Sequence, residues 1–131
     1  LNINNYIGYS KIKKTTKKDN IEINVASKNT YMDNEQYTIK VTNNSKNDIS
    51  LDGLSNVKSL YLQDSKGSKY SAYTHELTEP TLKVQAGQTK EITIKFYNNY
   101  SSNKNINYMV FSDVIIYSGQ GSEKMELKIN V

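Results

Sequence analysis

The sequence predicts an all-β protein, an antiparallel β-sandwich of about eight or nine strands. In several segments apolar residues recur at every second position, which is the period of a strand with one buried and one solvated face. Turn-forming residues separate these segments about every ten residues. A helical period is hard to find anywhere in the chain. Together these patterns favour strands that reverse direction at each turn and pack as two layers.

Four segments show the alternation most clearly and predict strands: residues 21–25, 37–41, 92–96 and 125–131. The turn at residues 64–67 follows a short apolar segment and predicts a hairpin, with Gly67 in the left-handed conformation. Another turn, at 119–121, joins the last two strands. Asp113 interrupts an apolar stretch and predicts a bulge or bend that turns its carboxylate outward, because a buried unpaired carboxylate is costly.

The composition fits one folded domain. The chain has 131 residues, enough to bury a core, and it has no cysteine for disulfides or thiolate metal ligands. Eleven tyrosines and a net charge of only +4 argue against disorder. No apolar run is long enough to span a bilayer. Because the sequence begins at Leu1 rather than Met, we expect that a leader, lipid anchor or membrane helix preceded it.

The first part of the chain differs from the rest. Residues 1–18 predict a basic linker or an added edge strand, and residues 19–131 predict the sandwich. Without the lysines of KIKKTTKK the chain has 12 basic and 13 acidic residues, a charge of −1, so the excess positive charge is local. The five lysines of this run are Lys11, Lys13, Lys14, Lys17 and Lys18.

Three interpretations of the lysine run remain open. It is a solvated linker, a contact with anionic lipid head groups or acidic wall polymers, or an edge strand that lysines protect from association. Nucleic acid is not an expected partner, because the chain has no arginine to read bases.

Residues 36–96 resemble the immunoglobulin-like domains of the secreted immunoprotective-antigen superfamily, which occur in bacterial lipoproteins and membrane-anchored surface proteins of unknown function. Three segments carry the resemblance: YTIKVTNNS at 37–45, LQDSKGSKY at 62–70 and AGQTKEITIKF at 86–96. The resemblance implies an immunoglobulin-like sandwich, an extracytoplasmic location at or beyond the bacterial cell surface, and no catalytic residue.

Candidate site residues are few. Tyr97 and Tyr100 flank two asparagines, and with Tyr73 they predict contacts to a glycan, peptide or protein partner, because aromatic rings with nearby amides suit such ligands. His75 is the only histidine, and no Gly-x-Ser-x-Gly elbow accompanies it, so a hydrolase is the weaker hypothesis. The loop at 47–53 offers oxygens to calcium, but its spacing is not that of an EF-hand, and we expect neither a metal nor a cofactor.

The function predicted from these observations is a non-catalytic, extracytoplasmic binding or interaction module of a bacterial surface protein or lipoprotein, and we expect a monomer. The alternative is a structural spacer whose lysine-rich segment weakly contacts anionic lipid or wall polymer. A Lys–Asn isopeptide crosslink also remains open.

Overall fold

The computed structural model describes residues 6–54, 56, 58–73, 81–97 and 105–131. These residues form ten strands and no helix, and none of them belongs to a helix long and apolar enough to cross a membrane. The strands are β1 (Tyr6–Lys18), β2 (Ile21–Tyr31), β3 (Asn34–Asn43), β4 (Ile49–Leu51), β5 (Leu60–Asp64), β6 (Lys69–Tyr73), β7 (Leu82–Val84), β8 (Thr89–Tyr97), β9 (Ile106–Ser118) and β10 (Gly121–Asn130).

All strand pairs are antiparallel, and they form two layers. One layer has the order β1-β2-β3-β8, and the other contains β5, β9, β4 and β7, with β10 on the second edge of β9. Strand β6 joins the layers, because it pairs with β5 at Tyr61↔Ser71 and with β8 at Ala72↔Phe96. The predicted all-β antiparallel sandwich is therefore confirmed, with slightly more strands than expected.

The alternation in the sequence places the core between the layers. In β2, Ile21, Ile23 and Val25 are fully buried, and Glu22 and Asn24 lie on the opposite face. Buried side chains from the other layer face them. Within the same layer as β2, Tyr37 of β3 and Phe96 of β8 pack edge to face, with ring centroids 5.5 Å apart. The largest buried side chains include Tyr37, Phe96, Phe111, Ile39, Ile49, Leu51, Leu54, Leu60, Leu62 and Ile94.

Residues 6–18 form an edge strand, which is one of the two alternatives that the sequence left open for this segment. Strand β1 pairs with β2 along its length, and Ile12 packs against the core. The Thr16 hydroxyl donates a hydrogen bond of 2.9 Å to the backbone carbonyl of Lys128 in the other layer. These contacts fix β1 to the sandwich.

The hairpin between β5 and β6 has the turn that the sequence predicts. Gly67 has a φ of 87°, in the left-handed region that favours glycine. Asp64 accepts hydrogen bonds of 2.9 Å from the backbone N–H groups of Lys66 and Ser68, and a 2.8 Å bond from the Tyr70 hydroxyl. This last bond holds the pKa of Asp64 below its usual range. One carboxylate therefore closes the whole turn.

Asn43, at the end of β3, is a fully buried polar residue. Its side-chain amide donates to the carbonyls of Asn47 at 2.8 Å and Val84 at 3.0 Å. Its side-chain oxygen accepts from the backbone and hydroxyl of Ser45. Its backbone accepts from the N–H of Gly87 at 2.7 Å. Because β3 and β7 belong to different layers, this residue connects the layers by hydrogen bonds.

Replacing Asn43 by alanine is expected to lower the free energy of unfolding by about 3 kcal/mol, because the buried groups it satisfies lose their partners. Urea denaturation measures the change. Asn44→Ala is the control, since Asn44 is the exposed next residue. We expect that variant to change stability by about 0.5 kcal/mol or less. Equal losses in the two variants would contradict a special role for the buried amide.

Candidate functional site

The outer face of the β1-β2-β3-β8 layer is polar over most of its area. In β3 the residues that point away from the core are Gln36, Thr38, Lys40 and Thr42. Tyrosines gather at one end of this face, next to the turn between β2 and β3. An exposed aromatic group on an otherwise polar sheet is the kind of feature that marks a contact surface.

Two register rows bring these tyrosines together. In the first, Tyr6 lies opposite Tyr31, with ring centroids 5.2 Å apart, and Asn34 lies opposite Tyr97. The second row runs across four strands through Tyr9, Asn29, Gln36 and Lys95. We call these eight residues the tyrosine face.

Hydrogen bonds hold the amides of the tyrosine face in place. The Tyr6 hydroxyl donates to Asn29 Oδ1 at 3.1 Å, and Gln36 Nε2 donates to Asn34 Oδ1 at 3.2 Å. A shallow pocket of about 180 Å³ lies beside them and is lined by Asp33, Asn34, Lys95 and Tyr97. The face therefore presents rings and oriented polar groups side by side.

A bulge puts Tyr6 and Tyr9 on the same face. The two residues are three positions apart, so a regular strand would point them to opposite sides. Tyr6 pairs with Tyr31 and Gly8 with Thr30, which leaves Ile7 as the extra residue. Period-two reasoning cannot find this arrangement, and the contribution of β1 to the tyrosine face was missed from the sequence for that reason.

The structure describes two of the three predicted contact tyrosines, Tyr97 and Tyr73. Tyr97 belongs to the tyrosine face and is exposed. Tyr73 pairs through its backbone with Lys95, so β6 borders the same face. Tyr100 lies outside the described residues, as does His75.

The five lysines of the predicted anionic contact lie along β1 and are all exposed. Lys11 and Lys17 pair with Ser27 and Glu22, on the outer face of the layer. Lys14 and Lys18 pair with the buried residues Val25 and Ile21, so they extend from the core-facing side of the edge. Lys13 sits in a second bulge with a φ of 52°. The edge strand therefore carries positive charge on both of its faces.

Asp113 lies in a bulge, as the sequence predicts. Val114 pairs with Met125 and Phe111 with Leu127, so Ser112 and Asp113 together face one residue of β10. The carboxylate accepts a hydrogen bond from the Ser59 hydroxyl and pairs with Lys124 Nζ at 2.9 Å. The Ser59 hydrogen bond first, and then Lys124, hold the pKa of Asp113 below its usual range.

Gly53 makes room for this link. It has a φ of 66°, and a Cβ atom there would lie 2.5 Å from Ser59 Oγ. Asp113 is therefore a structural junction between β9, β10 and the segment before β5, rather than an isolated carboxylate in a cleft.

A larger groove, of about 610 Å³, lies at the other end of the sandwich between β7 and the start of β8. Its walls include Lys83, Lys90 and Tyr117. The carboxylates of the loop considered for calcium are engaged elsewhere: Asp48 accepts from the N–H of Ala86 at 2.9 Å, and Asp52 accepts from the Ser50 hydroxyl at 2.8 Å. Within the described part of the chain, no three or more carboxylate or histidine side chains come together as metal ligands.

Comparisons with known proteins support the fold only. No protein-family model matches the chain, and no curated protein matches it significantly in sequence. Among solved structures, the chain is similar to the crystal structure of the YjhA protein from Bacillus subtilis, with a TM-score of 0.58 and 14% sequence identity. The match covers 79% of this chain and 80% of that chain. At this identity the likeness shows a shared fold, and the resemblance to the immunoprotective-antigen superfamily stays a prediction.

Replacing Asp113 by asparagine is expected to lower the free energy of unfolding by about 1 kcal/mol at neutral pH. The pKa of Asp113 is lowered in the folded state, so its contribution is present above the unfolded value of about 3.9 and is lost as pH falls through the folded value. The stability curves of the variant and the natural chain should therefore converge in acid. Urea titrations between about pH 2 and pH 7 measure this. Glu123→Gln, on the exposed end of β10, is the control. A stability difference between Asp113→Asn and the natural chain that stays constant into acid would contradict a lowered pKa of Asp113.

Proposed function

We propose that the protein is a non-catalytic, extracytoplasmic binding module of a bacterial surface protein or lipoprotein, and that its tyrosine face contacts a polymer of the cell envelope. The observation that carries this proposal is the convergence of four tyrosines and three amide side chains on the outer face of one layer. Extracytoplasmic location rests on the sequence resemblance, and the absence of cysteine is compatible with it.

The chemistry of the tyrosine face suits a chain of sugar units. An aromatic ring offers an apolar surface and a polar hydroxyl at low cost in side-chain entropy, so Tyr is common in contact surfaces. The amides of Asn29, Asn34 and Gln36 can donate to and accept from ligand hydroxyls. Hydrogen bonds within the face already orient these groups, which lowers the entropy lost on binding.

The shape of the surface favours an extended ligand. The tyrosine face is spread over four strands of one sheet, and the pocket beside it has a volume of only about 180 Å³. Sites for small molecules are usually deeper and larger. A polymer or a protein surface can contact the whole face, whereas a small ligand would contact only part of it.

A second candidate function is a spacer domain whose β1 strand weakly contacts an anionic surface. The observation that favours it is the row of exposed lysines on β1. A spacer of this kind needs no tyrosine face, and its binding would be independent of the aromatic residues. In the first candidate function binding depends on the tyrosines, and in the second it depends on the lysines of β1.

Replacing both Tyr9 and Tyr97 by alanine is expected to weaken binding to purified cell-wall material about tenfold or more, because exposed tyrosines are frequent hot spots. Co-sedimentation at physiological salt measures the dissociation constant. Tyr117→Ala is the matched control, since Tyr117 is 43% exposed, against 58% for Tyr9 and 52% for Tyr97, and it lies at the other end of the molecule.

Unchanged binding in the double variant, with its fold intact by circular dichroism, would overturn the role of the tyrosine face. An equal loss in Tyr117→Ala would also count against it, because the effect would then not be confined to one face.

A further inference from the structure

We infer that the polymer contacted by the tyrosine face is polyanionic, and that its phosphate groups run along the free edge of β1. This inference rests on the proposed function and deepens it by naming the ligand class. It uses the lysines of β1, which the tyrosine face itself does not explain.

The tyrosine face and the lysines form one continuous surface. Tyr9 and Lys11 are separated by one residue on β1, and both lie on the outer side of the layer. Lys95, in the same row as Tyr9, lies within the tyrosine face. A chain that stacks on Tyr9 and continues along β1 meets Lys11 next, and then the rest of the lysine row.

The charge distribution selects an anion. The lysine row supplies five positive charges over a strand length of about 23 Å, at about 3.3 Å per residue. The rest of the chain sums to −1, from 12 basic and 13 acidic residues. Two acidic residues lie next to the row: Glu22 pairs with Lys17 across the hairpin, and Asp19 follows Lys18 in the turn. A local excess of this size attracts polyanions and adds to their association rate.

Edge geometry favours a linear ligand over a bilayer. Lys11 and Lys17 extend from one face of the edge, while Lys14 and Lys18 extend from the other. Side chains on both faces can close around a chain that lies along the edge. In addition, β1 pairs only with β2 among the described strands, so its outward backbone N–H groups are oriented toward such a chain.

The neighbouring side chains support the same ligand. A peripheral membrane surface usually carries Trp, Phe or Leu for insertion between lipids. The aromatic residues beside the lysine row are tyrosines with amide neighbours, which suit hydroxyl-rich chains. Lysines contact phosphate as point charges, without the geometric demands of arginine. Two aliphatic side chains, Ile7 and Met32, are also exposed near the tyrosines, but two are few for insertion between lipids, so an anionic wall polymer fits better than a lipid surface.

The test compares three probes: purified wall material, the same material after acid extraction of its phosphodiester-linked polymers, and vesicles containing phosphatidylglycerol. The variant replaces all five lysines of the row by glutamine. A control variant replaces five exposed lysines elsewhere, at Lys46, Lys58, Lys66, Lys69 and Lys83. Both variants change the net charge equally, and thermal unfolding checks that both are folded.

The natural chain should bind intact wall material about tenfold more tightly than the extracted material or the vesicles, with an affinity that falls as salt rises. The lysine-row variant should lose this preference, and the control variant should keep most of it. A smaller salt dependence in the lysine-row variant than in the control would support direct contact.

Several results would overturn the inference. Equal binding to intact and extracted wall material would mean that the ligand is not a phosphodiester-linked polymer, which leaves the proposed function standing. Stronger binding to the vesicles than to intact wall material would mean that the lysines contact lipid head groups. If the control variant lost as much binding as the lysine-row variant, the loss would be explained by net charge and not by the position of the lysines. Binding of the natural chain to none of the probes would remove both the inference and the proposed function.

Discussion

At one end of the sandwich, the alignment of the two layers depends on a buried polar residue, Asn43. Its side-chain amide, at the end of β3, donates a hydrogen bond to the carbonyl of Val84 in β7. Its backbone oxygen accepts a hydrogen bond from the N–H of Gly87. Hydrophobic burial is non-directional and cannot by itself fix how two sheets are aligned. A fully satisfied buried amide is directional, and it sets this alignment at one end of the sandwich. It also connects YTIKVTNNS with AGQTKEITIKF, two of the segments on which the family resemblance rests.

Much of this fold could be predicted from the sequence, because several strands show a regular alternation of apolar and polar residues. Strands β2, β3, β8 and β10 are of this kind. The left-handed Gly67 and the bulge at Asp113 were predictable for another reason, because a turn glycine and a carboxylate within an apolar stretch are local signals. Strands β4 and β7 have three residues each, too few to show a period. The tyrosine face could not be predicted, because it depends on a bulge at Ile7 and on pairing across four strands. Register is a tertiary property, and one extra residue reverses every side chain beyond it.

The lysines of β1 have two compatible physical effects. An edge strand with unpaired backbone groups can associate with another sheet, and lysines oppose this by repulsion and by their hydration. Among the described strands, β1 is the long edge of its layer, so it has the greatest need of such protection. The same charges create the surface that we propose for a polyanion. Selection for a monomeric fold and selection for an anionic ligand would therefore both keep lysine at these positions.

Strand β6 has a consequence for the dynamics of the molecule. Because it is hydrogen-bonded to β5 in one layer and to β8 in the other, the layers cannot slide past each other without breaking backbone bonds. Opening of either layer is thereby coupled to the other, so global unfolding should be cooperative across both. The β1-β2 hairpin lies far from this junction, and its outer strand has backbone pairing on one side only, with β2, besides the Thr16 hydrogen bond to β10. Amide protons of β1 should therefore exchange with solvent through local opening, while those of β3, β8 and β9 exchange only when the whole domain unfolds.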